Sequence, residues 1–424
     1  MNLLVSAVTE EVNNVDVAPR RSGRSFWAPE IRVLQIFDSL GMGGAETWLM
    51  ALLRFFHSRR NDLPMSVRFD VLLTGGAKAR FDDEAEALGA RLFYANFSRR
   101  NTFGFIRQFR RILAKGRYHA IHDHQDYAAG FRFIMGLGLL PNVRVAHIHN
   151  TPFSVARYNS TPSRLLGFRL AKGLLAVTST HIASTSRQMI KEFGFDTWSF
   201  RRIEPRVVHC GFDTSSFRGD NKSLHRELSN EFGWTDNVKI ILFVGRLEEP
   251  VGSGLQRKNP AFALEVGRAC IARDGDVRMI MAGSGDQMRR NLTSRIKSWG
   301  LEDKMKLPGV YPDISRLMLG SNLFLFPSLA EGLGMVVVEA QAAGLRVLTS
   351  TGVPRESTVI PGLVEFRKLD AGVEIWASEA LRLLNLEPTD PRACCMAVQN
   401  SAFSIEQSAK SLMEIYSGTD NISM

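Results

Sequence analysis

Cysteine is scarce in this 424-residue chain. Its four cysteines, Cys210, Cys270, Cys394 and Cys395, are too few and too unevenly spaced for a disulfide framework or a zinc site, which points to a reducing compartment. The adjacent pair Cys394 and Cys395 has no companion ligands and reads as two small helix residues. Long apolar runs are also missing. The best, FIMGLGLL at 133–140, falls far short of the roughly 18 residues that a membrane-spanning helix needs. The opening MNLLVSAVTEEVNN has no basic region ahead of its apolar residues and turns acidic at Glu10, so it does not read as a secretory signal. These absences lead to the expectation of a cytoplasmic protein. Low-complexity tracts and short-period repeats are lacking too, which sets aside solenoids and arrays. Residues 1–30, ending in APRRSGRSFWAPE, are expected to form a mobile extension outside the fold.

What is present is a globular composition, 45% hydrophobic and 23% charged, with 53 Lys and Arg against 43 Asp and Glu. The net charge of +10 calls for an anionic partner: nucleic acid, lipid headgroups or a phosphorylated small molecule. Nucleic acid is set aside, because the chain carries no recognition motif and its aromatic residues form no stacking platform.

The length predicts two domains. From Ile31 short apolar runs alternate with amphipathic stretches: IRVLQIF (31–37), the loop GMGGAE, the helix TWLMALLRFFHS, then VRFDVLLTG, ARLFYAN, a basic helix, HAIHDHQ, VRVAHIHN, LLAVTSTH and RVVHCGFD. Strands separated by helices predict right-handed βαβ units and a parallel sheet covered on both faces. A second series follows the polar stretch 213–237, with VKIILFVGR, VRMIMAG, KMKLPGV, NLFLFPS, LRVLTS and LVEF as its strands. The expected organisation is α/β: a Rossmann-like domain over 31–208, a hinge over 209–237, a second Rossmann-like domain over 238–400, and a C-terminal helix in 401–424 packing back on the first. Ligands of such sheets bind at the carboxyl ends of the strands, which places the site in the cleft between the halves.

Candidate site residues fall at strand ends. Gly41, Gly43 and Gly44 make a strand-to-helix loop whose amides could approach a phosphate or a sugar, while an ordinary tight turn explains them as well. A dinucleotide fingerprint would need a third glycine where Glu46 stands. His122, His124, His147 and His149 end two strands in pairs that share a face. A metal would need Asp123 or Asp126 as a further ligand, and no spacing is diagnostic of one. One or two of these histidines are expected to line the cleft, with His149 preferred because Asn150, Thr151 and Pro152 end its strand. Arg246 and Lys258 could clamp a diphosphate, although two surface cations in a basic protein are equally ordinary. In SLAEGLGMVVVEAQAAGLRVLTS (328–350), Gly344 as a C-cap favours a helix for the valine run. Glu331 then lies in the loop before that helix and Glu339 inside it, where they could grip different parts of one elongated ligand.

Together GGAETWLM, HDHQDYAAGF, VAHIHN, FVGRL…KNP, MAGSGD, FPSLAEGLGMVVVEAQAAGLRVLTS and VPRE resemble, in order and spacing, the family four retaining glycosyltransferases of the GT-B fold, and among them bacterial capsular and exopolysaccharide enzymes. The resemblance runs from about Ile31 to SLMEIYSG. It implies transfer of a sugar from a nucleoside-diphosphate donor, UDP or GDP type, to a hydroxyl of a glycan or lipid-linked acceptor, with retention and without a metal or cofactor. By the same resemblance Glu339 matches the ribose-binding carboxylate and Glu331 the first Glu of the paired-Glu motif near the donor sugar. Arg246 and Lys258 match the diphosphate-binding cations, and Gly332, Leu333, Gly334 and Met335 the amides that complete the cradle. Gly43 and Gly44 match the loop facing the phosphates, His149 the cleft histidine, and PGVY, with Val310, the base pocket. Cys210 stands where the family commonly has Asn. The competing readings are a nucleotide-sugar epimerase or phosphorylase, against which the paired Glu stretch with GGAE speaks, and a non-catalytic binding protein of the same fold, against which the retention of Glu331, Glu339, Arg246 and Lys258 speaks.

The span 99–117, RRNTFGFIRQFRRILAKGR, carries seven cations and no acid, interleaved with Phe103, Phe105, Ile106, Phe109, Ile112 and Leu113. It suits a helix lying on an anionic membrane surface, where a lipid-linked acceptor would be met, and equally a sheet-covering helix with a solvated basic face.

Overall fold

The computed structural model describes residues 30–418, apart from 64, 99, 159–160, 204 and 248–255. The expected N-terminal extension and most of the segment between Arg246 and Lys258 lie outside the described residues.

The first half is a seven-stranded parallel sheet of β1 (Glu30–Phe37), β2 (Ser66–Leu73), β3 (Arg91–Tyr94), β4 (Ala120–Asp123), β5 (Val143–Ile148), β6 (His181–Ser184) and β7 (Pro205–Val207). The strands lie in the order β3-β2-β1-β4-β5-β6-β7. The second half holds β8 (Lys239–Val244), β9 (Val277–Ala282), β10 (Met305–Gly309), β11 (Leu323–Phe326), β12 (Arg346–Ser350) and β13 (Val364–Arg367), ordered β10-β9-β8-β11-β12-β13 and again parallel. Each sheet reverses its order beside its first strand, between β1 and β4 and between β8 and β11. The connections there leave in opposite directions and open a crevice at the strand carboxyl ends.

Continuous apolar runs make these strands because helices cover both faces of each sheet. Val33, Leu34 and Ile36 of β1 and Ile241, Leu242 and Phe243 of β8 are completely buried. Each such side chain contributes about 1.5–3 kcal/mol relative to exposure. The first sheet is sandwiched by two apolar clusters, and the second half has one large core.

Two expectations need correction. LLAVTSTH is not a strand over its length. Thr161 caps the helix Pro162–Thr178 by accepting from Arg164 N, Pro162 sits in its first turn, and the helix carries Leu175 into the core. The strand is the following HIAS. The stretch 209–237 is also not one hinge. Cys210 belongs to the core of the first half, whereas Phe217, Leu228 and Trp234 belong to that of the second. At the far end, the helix Ile405–Ser417 returns to the first half, where Ile405, Ala409, Leu412 and Tyr416 join Trp48 and Leu49.

The basic helix forms over Thr102–Gly116. Phe105, Phe109, Ile112 and Leu113 are buried against the sheet, so the sheet-covering alternative accounts for its apolar side, while Phe103 is 89% exposed. Among the described residues no helix is long and apolar enough to cross a membrane.

Candidate active site

The second half supplies a charged cluster at the ends of β8 and β11. Strand β11 stops at Pro327, and the loop after it is pinned to the segment before the helix Pro260–Arg273: Leu329 N donates to Arg257 O at 2.7 Å and Ser328 Oγ to the same carbonyl at 2.9 Å. That pinning brings Lys258 Nζ to 2.7 Å from Glu331 Oε1 and 4.9 Å from the centre of the Phe326 ring. Ser328 Oγ also lies within hydrogen-bonding distance of Glu331 Oε1 and shares its one proton between the two acceptors. Burial acts to raise the pKa of Glu331, but the charges of Lys258 and Arg257 and the hydrogen bonds from Lys258 and Ser328 outweigh it, and the carboxyl is held below its ordinary value.

Gly334, at φ 85°, turns the chain into the helix Met335–Ala342, with Val337 and Val338 in the core as the C-cap reading of Gly344 anticipated. The residue at 334 needs the left-handed conformation that glycine adopts without a Cβ penalty. Glu339 lies within this helix. Burial pushes its carboxyl up to about 7, with the charge of Lys258 pulling the other way. Lys258 therefore acts on both carboxylates. Arg246, exposed after β8, adds its charge to the field at Lys258 and also to that at Glu46 of the first half.

Neighbouring strand ends brace this cluster. Gly245 N donates to Ala282 O at 3.0 Å and Gly283 N to Gly309 O at 2.7 Å, tying the ends of β8, β9 and β10 together. A Cβ on Gly283 would overlap the Gly245 carbonyl, so the backbones meet directly. Val310, 47% exposed, follows at the outer end of this row.

The first half faces the cluster with two features. Gly43 is the N-cap of the helix Gly44–Ser58, and the Glu46 carboxylate curls back over it, leaving no room for a Cβ at 43. A Cβ at Gly44 would meet only open space. Burial raises the pKa of Glu46, with Arg246 opposing. The second feature is the histidine group at the ends of β4 and β5. His124 Nδ1 lies 3.0 Å from His149 Nε2, and His122 Nε2 lies 3.1 Å from His147 Nδ1. Trp48 packs edge-on or tilted against all four rings. Burial pushes all four imidazoles well below the ordinary histidine range, His149 to about 3, so the group is neutral at pH 7. Nitrogens of His122, His124 and His147 lie within 4.8 Å of one another, close enough to hold a metal, yet His122 and His147 already share a hydrogen bond and His124 pairs with His149.

Asp126, at φ 52°, fixes the exit of β5. Its Oδ1 accepts from His149 N at 2.7 Å and Asn150 N at 3.1 Å, and its Oδ2 from Asn150 Nδ2 at 2.6 Å. The two halves meet here. A Cβ on Gly332 would come within 2.9 Å of His149 O, Met189 Sδ and Thr185 Oγ1. Met335 packs against the cores of both halves, and the Glu356 carboxylate accepts from Arg187 N at 2.9 Å and Gln188 N at 3.1 Å across the cleft.

Arg246, Lys258, Glu331, Glu339 and the span Gly332–Met335 thus gather on one lip, Gly43, Gly44 and His149 on the other, and Val310 stands two strands away. The sequence assigned no role to Arg257, Ser328 or Gln35, marked Glu46 only as the place of a missing glycine, and offered Asp126 only as a metal ligand. Gln35 carried a readable signal, a lone polar residue inside the apolar run VLQIF. The others act through loop geometry that no spacing reveals.

The family model for glycosyltransferase family 4 matches residues 42–216, and that for glycosyl transferases group 1 matches 238–385. The chain belongs to the family 4 glycosyltransferases. This glycosyltransferase is 28% identical over 361 residues to EpsF of Bacillus subtilis, named as a glycosyltransferase, covering 83% of this chain and 87% of that one. It is 23% identical to the capsular polysaccharide biosynthesis glycosyltransferase CapH of Staphylococcus aureus, covering 91% and 98%. Its fold is that of HepE from Anabaena, solved with UDP and glucose, at a TM-score of 0.70, 17% identity and coverage of 91% and 99%. The GT-B architecture expected from the motifs is therefore the one observed.

Proposed function

We propose that the glycosyltransferase transfers a sugar, with retention and without a metal, from a nucleoside-diphosphate sugar to a hydroxyl of a surface-polysaccharide or lipid-linked acceptor. The observation that carries this is Lys258 bonded to Glu331, with its charge also felt at Glu339 and the charge of Arg246 felt at Glu46 of the facing half. Cleavage of the anomeric C–O bond leaves negative charge on the departing diphosphate. Arg246, Lys258 and the amides of Gly332–Met335 stabilise that charge from fixed positions. Glu339 takes the ribose hydroxyls and Glu331 the hydroxyls of the transferred sugar, while Gly43 and Gly44 let the opposite backbone approach the phosphates. The base lies against Val310. Retention follows a front-face course in which the leaving phosphate accepts the proton of the attacking hydroxyl. UDP is the first candidate nucleotide, supported by the HepE complex, with GDP the alternative. The capsular role in the name of CapH supports a surface-glycan acceptor.

The anionic membrane surface remains part of the reading in altered form. Arg110 of Thr102–Gly116 donates to the carbonyls of Met135 and Leu137, which sets the basic helix beside exposed Ile134 and Leu137, with Phe103 exposed in its own first turn, a combination suited to lipid headgroups. Salt-sensitive co-sedimentation with phosphatidylglycerol vesicles is expected, and no binding at low salt contradicts it.

A thermal-shift screen of UDP, GDP and their sugars tests the donor, since a ligand of the native state alone raises apparent stability. Assay of the responding sugar nucleotide with an acceptor, with and without chelator, followed by the anomeric configuration of the product, tests the rest. Inverted configuration or chelator-sensitive transfer contradicts the proposal.

A further inference from the structure

Gln35 has no part in the donor site, yet it is almost completely buried in the middle of β1. Its Oε1 lies 2.7 Å from His124 Nε2, and its Nε2 donates to Tyr416 Oη at 3.1 Å. The hydroxyl of Tyr416 lies 2.6 Å from His122 Nδ1. Because an amide oxygen only accepts, His124 must carry its proton on Nε2. A neutral imidazole has one N–H, so His124 Nδ1 is a lone pair, and His149 Nε2 must donate to it. His149 then has a bare Nδ1. His149 itself is half-buried at the end of β5, beside Gly332 of the facing half. The second branch runs the same way: Tyr416 donates to His122 Nδ1, and His122 Nε2 donates to His147 Nδ1.

We propose that Gln35 and His124 are positioning residues that lock His149 as its Nε2–H tautomer, so that its Nδ1 accepts a hydrogen bond from a hydroxyl of the bound sugar. The consequence for specificity rests on the reading of His149 as a cleft residue given above; the tautomer itself does not. A site offering an acceptor selects a sugar with a hydroxyl there and leaves a donor-less analogue unpaired. Turning the Gln35 amide by 180° would reverse every link and make His149 a donor at Nδ1.

Long-range 15N–1H spectra of the histidine-labelled full chain test this without any activity. His149 is expected to show a protonated Nε2 and an unprotonated Nδ1; the opposite tautomer overturns the proposal. Gln35→Met is expected to give mixed His149 tautomers and to lower kcat about tenfold, the worth of one hydrogen bond. Gln35→Glu restores the tautomer, because a carboxyl in either protonation state offers His124 an oxygen. An unchanged tautomer in Gln35→Met overturns the proposal, and the wild-type spectrum decides if that variant fails to fold. Separately, full transfer by His149→Ala overturns the cleft role of His149 and leaves the tautomer assignment standing.

Discussion

The two halves repeat one architecture and end in opposite kinds of polarity. At the carboxyl ends of β8 and β11 the side chains are charged: Lys258 bonded to Glu331, with Arg246 and Arg257 nearby. At the ends of β4 and β5 they are polar and neutral, four imidazoles kept uncharged by burial and linked to one another. A diphosphate needs the first environment. Sugar hydroxyls, which carry no charge, are read better by fixed neutral donors and acceptors. The cleft brings these two environments face to face, and Gly332 sets how closely they meet.

Breaking the charged side is expected to have the largest effect. Lys258→Ala removes a cation at the developing charge and leaves Glu331 without its partner, so kcat/KM should fall by roughly 10²–10³ in steady-state assays. Glu339→Gln follows. Losing a charge-assisted hydrogen bond to ribose costs about 1.5–3 kcal/mol, read as a roughly 10- to 150-fold rise in donor KM. Because Glu339 titrates at about 7, wild-type donor affinity should weaken as pH falls through that value, and the variant should lose this dependence. Gly332→Ala pushes the halves apart at His149. About tenfold slower turnover is expected, with donor binding to the second half retained in calorimetry.

Stability against pH separates the two sides with opposite signs. The histidines have folded pKa values below their unfolded value of 6.5, so the unfolded chain binds more protons and stability falls as pH drops below about 6.5. Glu339 is raised from 4.5 to about 7, so its contribution is present below 4.5 and is lost as pH rises through 7. The four depressed imidazoles outweigh the raised carboxyls of Glu339, Glu46 and Asp126, and denaturant titrations should show stability rising between pH 5 and 6.5. Glu339→Gln should steepen that rise by up to one proton. A flat profile would mean that the native and unfolded chains take up protons equally over this range, against the buried, neutral histidines of the native state. The smallest effect is expected for Glu356→Gln, which weakens two charge-assisted bonds to Arg187 and Gln188 at an exposed edge and should cost about 1 kcal/mol.

Much of the fold was legible because fully covered parallel strands write themselves as apolar runs. LLAVTSTH misled because a buried helix segment and a strand look alike over eight residues, and only the Thr161 cap and the length of the element separate them. The paired Glu stretch marked the charged lip, since glycines, a strand stop and a valine helix stand next to one another in the chain. The histidine group was visible as two His-x-His pairs, but its partners Gln35 and Tyr416 are 381 positions apart and meet only through the returning C-terminal helix. The basic helix showed its charge plainly, while the direction of its apolar face depended on which strands lie beneath it.

Calorimetric titration of UDP and of uridine into the wild type and Lys258→Ala is the most direct test of the charged lip as the diphosphate site. In the wild type UDP should bind far more tightly than uridine, and in Lys258→Ala that preference should collapse while uridine binding persists. Preference for UDP undiminished in the variant, or equal loss of both ligands, would contradict it.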